Sequence, residues 1–248
     1  MIEKVIFKDP NGINLSGIIY MPKIKTESAV IISHGFCSNK DRLRLVNLAK
    51  ALFDAGFGVL RFDFGGCGES EDREITVTNQ VEDLKAAIKL MQSKGYSNLG
   101  LFGESLGGLT SLLAYDNEIK TLVLWAPVTK SKKQELILKE ELHNDINEKG
   151  FTTFYKDSRE FRIPRQYVEE REAVNQKEML SRIKCPVLII HGDKDNTIPW
   201  TQSKEAMEYL PKESKLEVIE GGCHKLDSKT NLAIPMTVNW FKEYLTKD

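Results

Sequence analysis

Ser105 stands in the pentapeptide Gly103-Glu104-Ser105-Leu106-Gly107, between a short apolar run (Leu99, Leu101, Phe102) and leucines at helical spacing (Leu106, Leu109, Leu112, Leu113). The order reads as strand, sharp turn, helix. Gly103 and Gly107, the second neighbours of the serine on either side, have no Cβ to collide where the backbone bends tightly. The bend lifts the hydroxyl off the sheet edge and sets the Leu106 amide near the start of the helix dipole. A serine so placed suits attack on a carbonyl carbon. G-x-S-x-G also arises by chance in glycine-containing chains, so the flanking strand and helix give the motif most of its meaning.

A serine hydroxyl is a poor nucleophile at neutral pH, and it needs a base to take its proton and an acid to hold the tautomer of that base. The chain offers four histidines. His34 and His191 each follow an apolar run and precede glycine, where a buried structural hydrogen bond explains them at least as well as catalysis, and His143 lies in a charged segment away from any expected strand end. His224, in the Gly-rich loop Glu220-Gly221-Gly222-Cys223-His224, is the preferred base, because a mobile backbone there can aim an imidazole across the sheet edge. The acid belongs at a strand end between serine and histidine in chain order, where Asp193 and Asp195 both qualify. Asp195 is preferred, since Asp193 comes so soon after the strand that it suits fixing the turn; Asx-turn chemistry would account for either. A tetrahedral intermediate also needs two amide donors. Leu106 N–H is one by the geometry of the turn, and Phe36 N–H, after His34-Gly35, is the natural second.

The elements that must carry these groups follow from periodicity. Residues 2–8 and 13–20 are β-prone runs around the turn formers Asp9-Pro10-Asn11-Gly12, so a hairpin opens the chain. Ala29–Ile32, Gly58–Phe62, Thr121–Trp125 and Pro186–Ile190 are continuous apolar runs, as strands buried on both faces require. Helical spacing runs from Lys40 to a C-cap at Gly56, from Thr76 to Lys94 before Gly95, from about Thr201 to Tyr209, and through Ile234, Val238, Trp240, Phe241 and Leu245 after the strand Lys215–Ile219. Strands alternating with helices predict a mostly parallel sheet covered on both faces, with ligands at the carboxyl ends of its strands. The rhythm breaks at about residues 128–179, a charged stretch with helical character that reads as an inserted cap. Its aromatic residues Phe151, Phe154, Tyr155, Phe161 and Tyr167 either line a pocket or anchor the cap to the body.

With 248 residues the chain can bury a sizeable core in one large α/β domain. A net charge of −1 gives no basic face by composition, which argues against a nucleic-acid partner and for a small molecule. The N-terminus lacks a basic and then apolar leader, and no run of about 18 apolar residues occurs, so a soluble cytoplasmic protein without a membrane span is expected. The four cysteines form no C-x-x-C pair; no metal and no cofactor is expected. Cys37, Cys67 and Cys223 fall in loops assigned to the rim of the site, where oxidation would reach them. The loop Asp63-Phe64-Gly65-Gly66-Cys67-Gly68-Glu69-Ser70 is rich in glycine but has neither phosphate-binding pattern, so Asp63 is read as organising that loop. Assembly is open, with a homodimer as one option.

Taken together the chain resembles the α/β-hydrolases. Its H-G-F-x-x-N, R-F-D-F-x-G-x-G-x-S, G-x-S-x-G-G and H-G-x-x-D-x-x-x-P segments are similar to those of microbial carboxylesterases, notably cinnamoyl and feruloyl esterases. The resemblance implies a single α/β-hydrolase domain over residues 1–248 with an inserted cap, a Ser105–Asp195–His224 triad, an oxyanion hole from the Phe36 and Leu106 amides, and a cap that selects the acyl or alcohol portion. The chain departs from those esterases at Glu104, where they usually have histidine, and at Lys225, which follows the histidine. The expected activity is hydrolysis of small to medium acyl or aryl esters through an acyl-enzyme. Two alternatives stand beside it: an amide or peptide hydrolase with the same triad, in which Glu104 or acidic cap residues bind a substrate amino group, and a non-catalytic ligand-binding protein on the same scaffold.

Overall fold

A computed structural model describes residues 1–131 and 140–246. β1 (Ile2–Lys8) and β2 (Asn14–Tyr20) pair antiparallel, closed by a turn in which Asp9 accepts hydrogen bonds from the Asn11 and Ile13 amides. β3 (Ser28–Ser33), α1 (Leu43–Asp54), β4 (Gly58–Phe62), α2 (Val77–Ser93), β5 (Asn98–Glu104), α3 (Leu106–Ala114) and β6 (Ile119–Trp125) then alternate. The next segment holds α4 (Glu140–Lys149), β7 (Phe151–Lys156), β8 (Arg159–Pro164), α5 (Arg165–Glu172) and α6 (Gln176–Ser181), after which β9 (Val187–Gly192), α7 (Thr201–Ala206), β10 (Lys215–Ile219) and α8 (Thr230–Leu245) complete the body.

The main sheet has the order β1-β2-β4-β3-β5-β6-β9-β10, parallel from β4 to β10. β4 and β5 lie on opposite sides of β3, so the sheet changes its direction of growth there. A switch of this kind opens a crevice at the carboxyl ends of the strands involved. Both faces are covered, as the uninterrupted apolar runs require. Ala29 and Ile31 pack with Leu84 and Leu109 of α2 and α3, whereas Val30 and Ile32 pack with Leu45, Leu48 and Phe241 of α1 and α8.

Two expectations are corrected. Helix α1 starts at Leu43 instead of Lys40, because Lys40 is folded inward as an ion-pair partner. The cap is less helical than its composition suggests: β7 and β8 form an antiparallel hairpin, with Phe154 opposite Phe161. Its two turn residues, Asp157 and Ser158, both take left-handed φ (50° and 61°), the geometry that a two-residue hairpin turn needs. No glycine marks that turn, so the period-two pattern around it is easily missed. Residues 132–139 of the expected cap lie outside the described residues.

Lys40 shows how the loops above the sheet are fixed. It is 1% exposed, and its Nζ lies 2.9 Å from Asp63 Oδ2, 2.6 Å from Glu69 Oε2 and 2.9 Å from Asp41 Oδ2. Asp63 in turn accepts from the Lys40 and Glu69 amides, as the organiser of its loop that the sequence suggested. Burial alone would push the lysine toward neutrality, but the bonds to Glu69, Asp63 and Asp41 outweigh it and hold the ammonium above the usual lysine range. Removing the cation would strand Asp63, which has no exposed side-chain surface. Lys40→Met is therefore expected to destabilise the protein by about 3–5 kcal/mol, read from urea denaturation midpoints; an unchanged midpoint would contradict this account.

Candidate active site

β5 ends at Glu104 and α3 begins at Leu106, so Ser105 alone makes the turn, with φ 53° and ψ −115°. This left-handed backbone is unfavourable for a residue with a Cβ and persists only where its surroundings enforce it. Here the Ser105 amide donates to Trp125 O (2.9 Å) and its carbonyl accepts from the Val128 and Gly108 amides (3.1 and 3.0 Å). The helix could not approach so closely with larger residues. A Cβ on Gly103 would strike the Gly107 carbonyl, and one on Gly107 would lie 2.5 Å from His34 O.

His224 arrives from the far side of the sheet. Its loop is seated against the end of β9: the Gly192 and Gly222 backbones touch, Asp193 N–H donates to Ile219 O, and Asp193 Oδ1 accepts from the Gly221 amide at 2.7 Å. Asp193 thus fixes the turn, and Asp195 faces the histidine. His224 Nδ1 lies 2.7 Å from Asp195 Oδ2 and Nε2 lies 2.9 Å from Ser105 Oγ. An ionised carboxylate only accepts, so Nδ1 carries the hydrogen and Nε2 is left to accept from the serine hydroxyl. Every lone-pair direction of Asp195 is used. Oδ1 accepts from the Thr197 and Ile198 amides, both at 2.8 Å, and Oδ2 accepts from His224 and from His191 Nε2 at 2.9 Å. Burial opposes its ionisation, but the donors from His191, His224 and Ile198 prevail and hold its carboxyl well below the usual carboxylate range.

Two of the remaining histidines have other work. His191 Nε2 faces Asp195 and Ile198 O, two acceptors, so it is the protonated nitrogen, and Nδ1 accepts from the Ser203 hydroxyl at 2.8 Å. His34 Nδ1–H donates to Gly35 O (2.8 Å) and Nε2 accepts from the Phe64 amide (3.2 Å); burial drives its pKa down, so it is a neutral tie between two loops. His143 belongs to α4. Among the described residues the Phe36 and Leu106 amides donate to no protein group. The Gly35 backbone packs against Ser105, placing that loop beside the hydroxyl.

A cleft of about 220 Å³ opens over Ser105 and His224. A family model described as serine aminopeptidase, S33, matches residues 24–180, more than half of the chain. The chain belongs to that family of α/β-hydrolases. It is similar to palmitoyl-protein thioesterase ABHD10 of Mus musculus, at 26% identity over 85% of this chain and 73% of that protein. It is also similar to serine hydrolase BPHL of Homo sapiens, at 25% identity over 87% of this chain and 78% of that protein. A structure of Est1E from Butyrivibrio proteoclasticus with ferulic acid bound shares the fold with a TM-score of 0.84 at 24% identity, covering 98% of this chain and 100% of that one. The chain is thus a serine hydrolase of the α/β-hydrolase fold.

Several groups that shape the hydrolase site carry no local signal in the sequence. Glu104, next to the serine, is 7% exposed and is gripped through both oxygens by Arg44 of α1, which lies 60 positions away. Lys156 of β7 reaches back to donate to Phe36 O at 2.8 Å. The Phe36 ring lies between Phe154 and Tyr167, with centroids 5.4 and 5.2 Å away. Of the cap aromatics singled out from the sequence, Phe154 lines the cleft, Tyr167 and Phe161 are buried as anchors, Phe151 packs under Arg162, and Tyr155 is exposed. A larger cavity of about 430 Å³ lies between α2 and the α5–α6 segment, but its lining has no serine, cysteine or histidine. Among the described residues no group of His, Cys, Asp and Glu is arranged to hold a metal ion, and no helix is long and apolar enough to cross a membrane.

The cysteines at the rim divide. Cys37 and Cys67 are buried, which pushes both thiols up, Cys67 to about 12, and removes them from oxidant; Cys223 is exposed. Ellman's reagent is expected to titrate Cys223 rapidly in the folded hydrolase and Cys37, Cys67 and Cys185 only after unfolding. A rapid reaction of the Cys223→Ser variant would contradict the assignment. Asp195 yields a second expectation. A carboxyl whose pKa is depressed by folding contributes stability that is present above its unfolded value and is lost as pH falls toward the folded one. Melting temperatures should therefore fall more steeply below about pH 4 in the wild type than in Asp195→Asn, and equal slopes would remove Asp195 from the acid response.

Proposed function

We propose that the protein is a carboxylic-ester hydrolase acting on small to medium acyl esters, with Ser105 as nucleophile, His224 as general base and acid, and Asp195 as the partner that orients it. The observation that carries this reading is the unbroken hydrogen-bonded chain from Asp195 through His224 to Ser105, beside two amides that donate to no protein group. In the first step Ser105 Oγ bonds to the ester carbonyl carbon while its proton passes to His224 Nε2. The carbonyl oxygen becomes an oxyanion that accepts from the Phe36 and Leu106 amides, an arrangement in which each donor is typically worth about 3 kcal/mol in the transition state. The intermediate then collapses, the carbon–oxygen bond to the alcohol breaks, and His224 returns its proton to the departing alkoxide. Water, deprotonated by His224, attacks the acyl-enzyme, and collapse releases the acid and restores the serine hydroxyl.

The size of the cleft favours short acyl groups, since about 220 Å³ falls below the usual ligand-pocket range of about 300–1,000 Å³. Its charge bears on the aminopeptidase-like alternative. A free substrate amine calls for an unpaired carboxylate, yet the one carboxylate among the described lining residues is Glu104, already neutralised by Arg44. Esters, thioesters among them, are thus better accommodated than peptides with a free amino end. Ser105→Ala is expected to lower kcat/KM for 4-nitrophenyl butyrate by at least about a thousandfold, and Ser105 in the wild type should be the residue labelled by a fluorophosphonate. Undiminished turnover in the variant would overturn the proposal, while folded protein inert to both reagents would favour the non-catalytic alternative.

A further inference from the structure

The cleft over Ser105 is lined by Arg42, Arg44, Lys156 and Lys225 against one carboxylate, Glu104. Two of the cations are accounted for. Arg44 pairs with Glu104 and reaches Asp227 at 3.2 Å, and Arg42 pairs with Asp157. The lysines are not accounted for in this way: among the described residues neither Lys156 nor Lys225 has a carboxylate within ion-pair distance. For Lys225, exposed on the rim directly after His224, solvation by water is a sufficient explanation. For Lys156 it is not. Its side chain is partly withdrawn from water, and its ammonium is held only by a backbone carbonyl, that of Phe36. Burial pushes its pKa down, and the charges of Arg42 and Lys225 push the same way against the weaker opposing pull of Cys37 and Asp157. Its sequence neighbour Asp157, which would be the natural counter-ion, is committed to Arg42. A desolvated ammonium beside other cations is unfavourable unless an anion joins it, and a cleft with walls of one charge concentrates ligands of the other.

We propose that the natural substrate is an anionic ester, one that carries a carboxylate on the acyl or the alcohol portion and sets it against Lys156 and Lys225 while its carbonyl meets Ser105. The inference rests on the ester-hydrolase reading and adds the charge of the substrate to it. Because an ammonium has three donors and the Phe36 carbonyl takes one, Lys156 can bind an anion without releasing the loop that bears the Phe36 amide. Arg44 has no such freedom, since Glu104 and Asp227 occupy it.

The test compares matched pairs of esters that differ in charge alone. Mono-4-nitrophenyl glutarate against 4-nitrophenyl glutaramate, each corrected for its enzyme-free rate, places the anion on the acyl side, and butanoyl glycolate against butanoyl glycolamide places it on the alcohol side. In at least one pair the anionic member is expected to have the higher kcat/KM, by about tenfold or more (about 1.4 kcal/mol), and that ratio should shrink with added salt. In a Lys156→Met/Lys225→Met variant the ratio should fall toward one. Turnover without preference for the anion in either pair, or a ratio that the double substitution does not move, overturns the anionic substrate and leaves the hydrolase standing. If no ester is cleaved the ester-hydrolase reading fails, and calorimetry with glutarate then decides the cationic site separately: binding by the wild type that is lost in the double variant supports it, and absence of binding ends it.

Discussion

Close packing of backbone against backbone beneath Ser105 is the constraint on which the rest of the molecule depends. Gly107 sits so near the His34 and Ser33 carbonyls that no side chain fits between them, and Gly103 is equally close to the Gly107 carbonyl. Helix α3 is thereby pressed onto the ends of β3 and β5, and the residue between strand and helix is forced into a conformation it would not adopt alone. The neighbouring connections bend in the same way: Cys37 after β3 and Ala126 after β6 also have left-handed φ, 45° and 43°. Such conformations are worth about 1–3 kcal/mol of strain apiece, which the buried sheet must offset. The arrangement makes the loops short and stiff where the switch in strand order opens the crevice. An oxygen and two amides can then be held in fixed relation without any ligand to organise them.

A single carboxylate organises the other half of the site. Asp195 serves two histidines that differ in surroundings more than in bonding. His191 is wholly enclosed, with Ser203 and Ile198 closing its remaining positions, whereas the His224 side chain is 18% exposed and has Ser105 at its second nitrogen. Proton transfer to solvent-borne molecules is open to the second and closed to the first. His191 therefore acts on Asp195, as a fixed donor that keeps the carboxylate ionised and aimed.

What could be read in the sequence follows from how far apart the cooperating groups are. The body strands are legible because burial on both faces leaves continuous apolar runs, and the elbow because two glycines are a local necessity. Asp195 could be separated from Asp193 by distance from the strand end, and in the structure Asp193 does bind the Gly221 amide while Asp195 faces His224. The β7–β8 hairpin was not legible, since its left-handed turn uses Asp157 and Ser158 in place of glycine. Nor were the ion pairs: Lys40 with Asp63 and Arg44 with Glu104 join distant segments, and no periodicity records which surface charge will be drawn inward. Glu104 illustrates the consequence. In sequence it is a free anion beside the serine, and in the fold it is a buried brace between β5 and α1.

The cap meets the body at the residue proposed to bear the second oxyanion donor, and this placement separates two kinds of variation. Phe154, Tyr167 and Lys156 hold the ring and the carbonyl of Phe36, and Glu170 of α5 accepts from the Val77 and Thr78 amides at the start of α2. Among these contacts none reaches Ser105, His224 or Asp195. Substitutions in β7 can therefore change the charge and width of the cleft without disturbing the strand-to-helix turn, as long as the grip on Phe36 survives. Loss of that grip would reach the proposed oxyanion hole, because the amide assigned to it is part of the same residue. Phe36 is thus the residue through which β7 and α5 meet the loop beside the strand-to-helix turn, and the turn itself is held by contacts of its own.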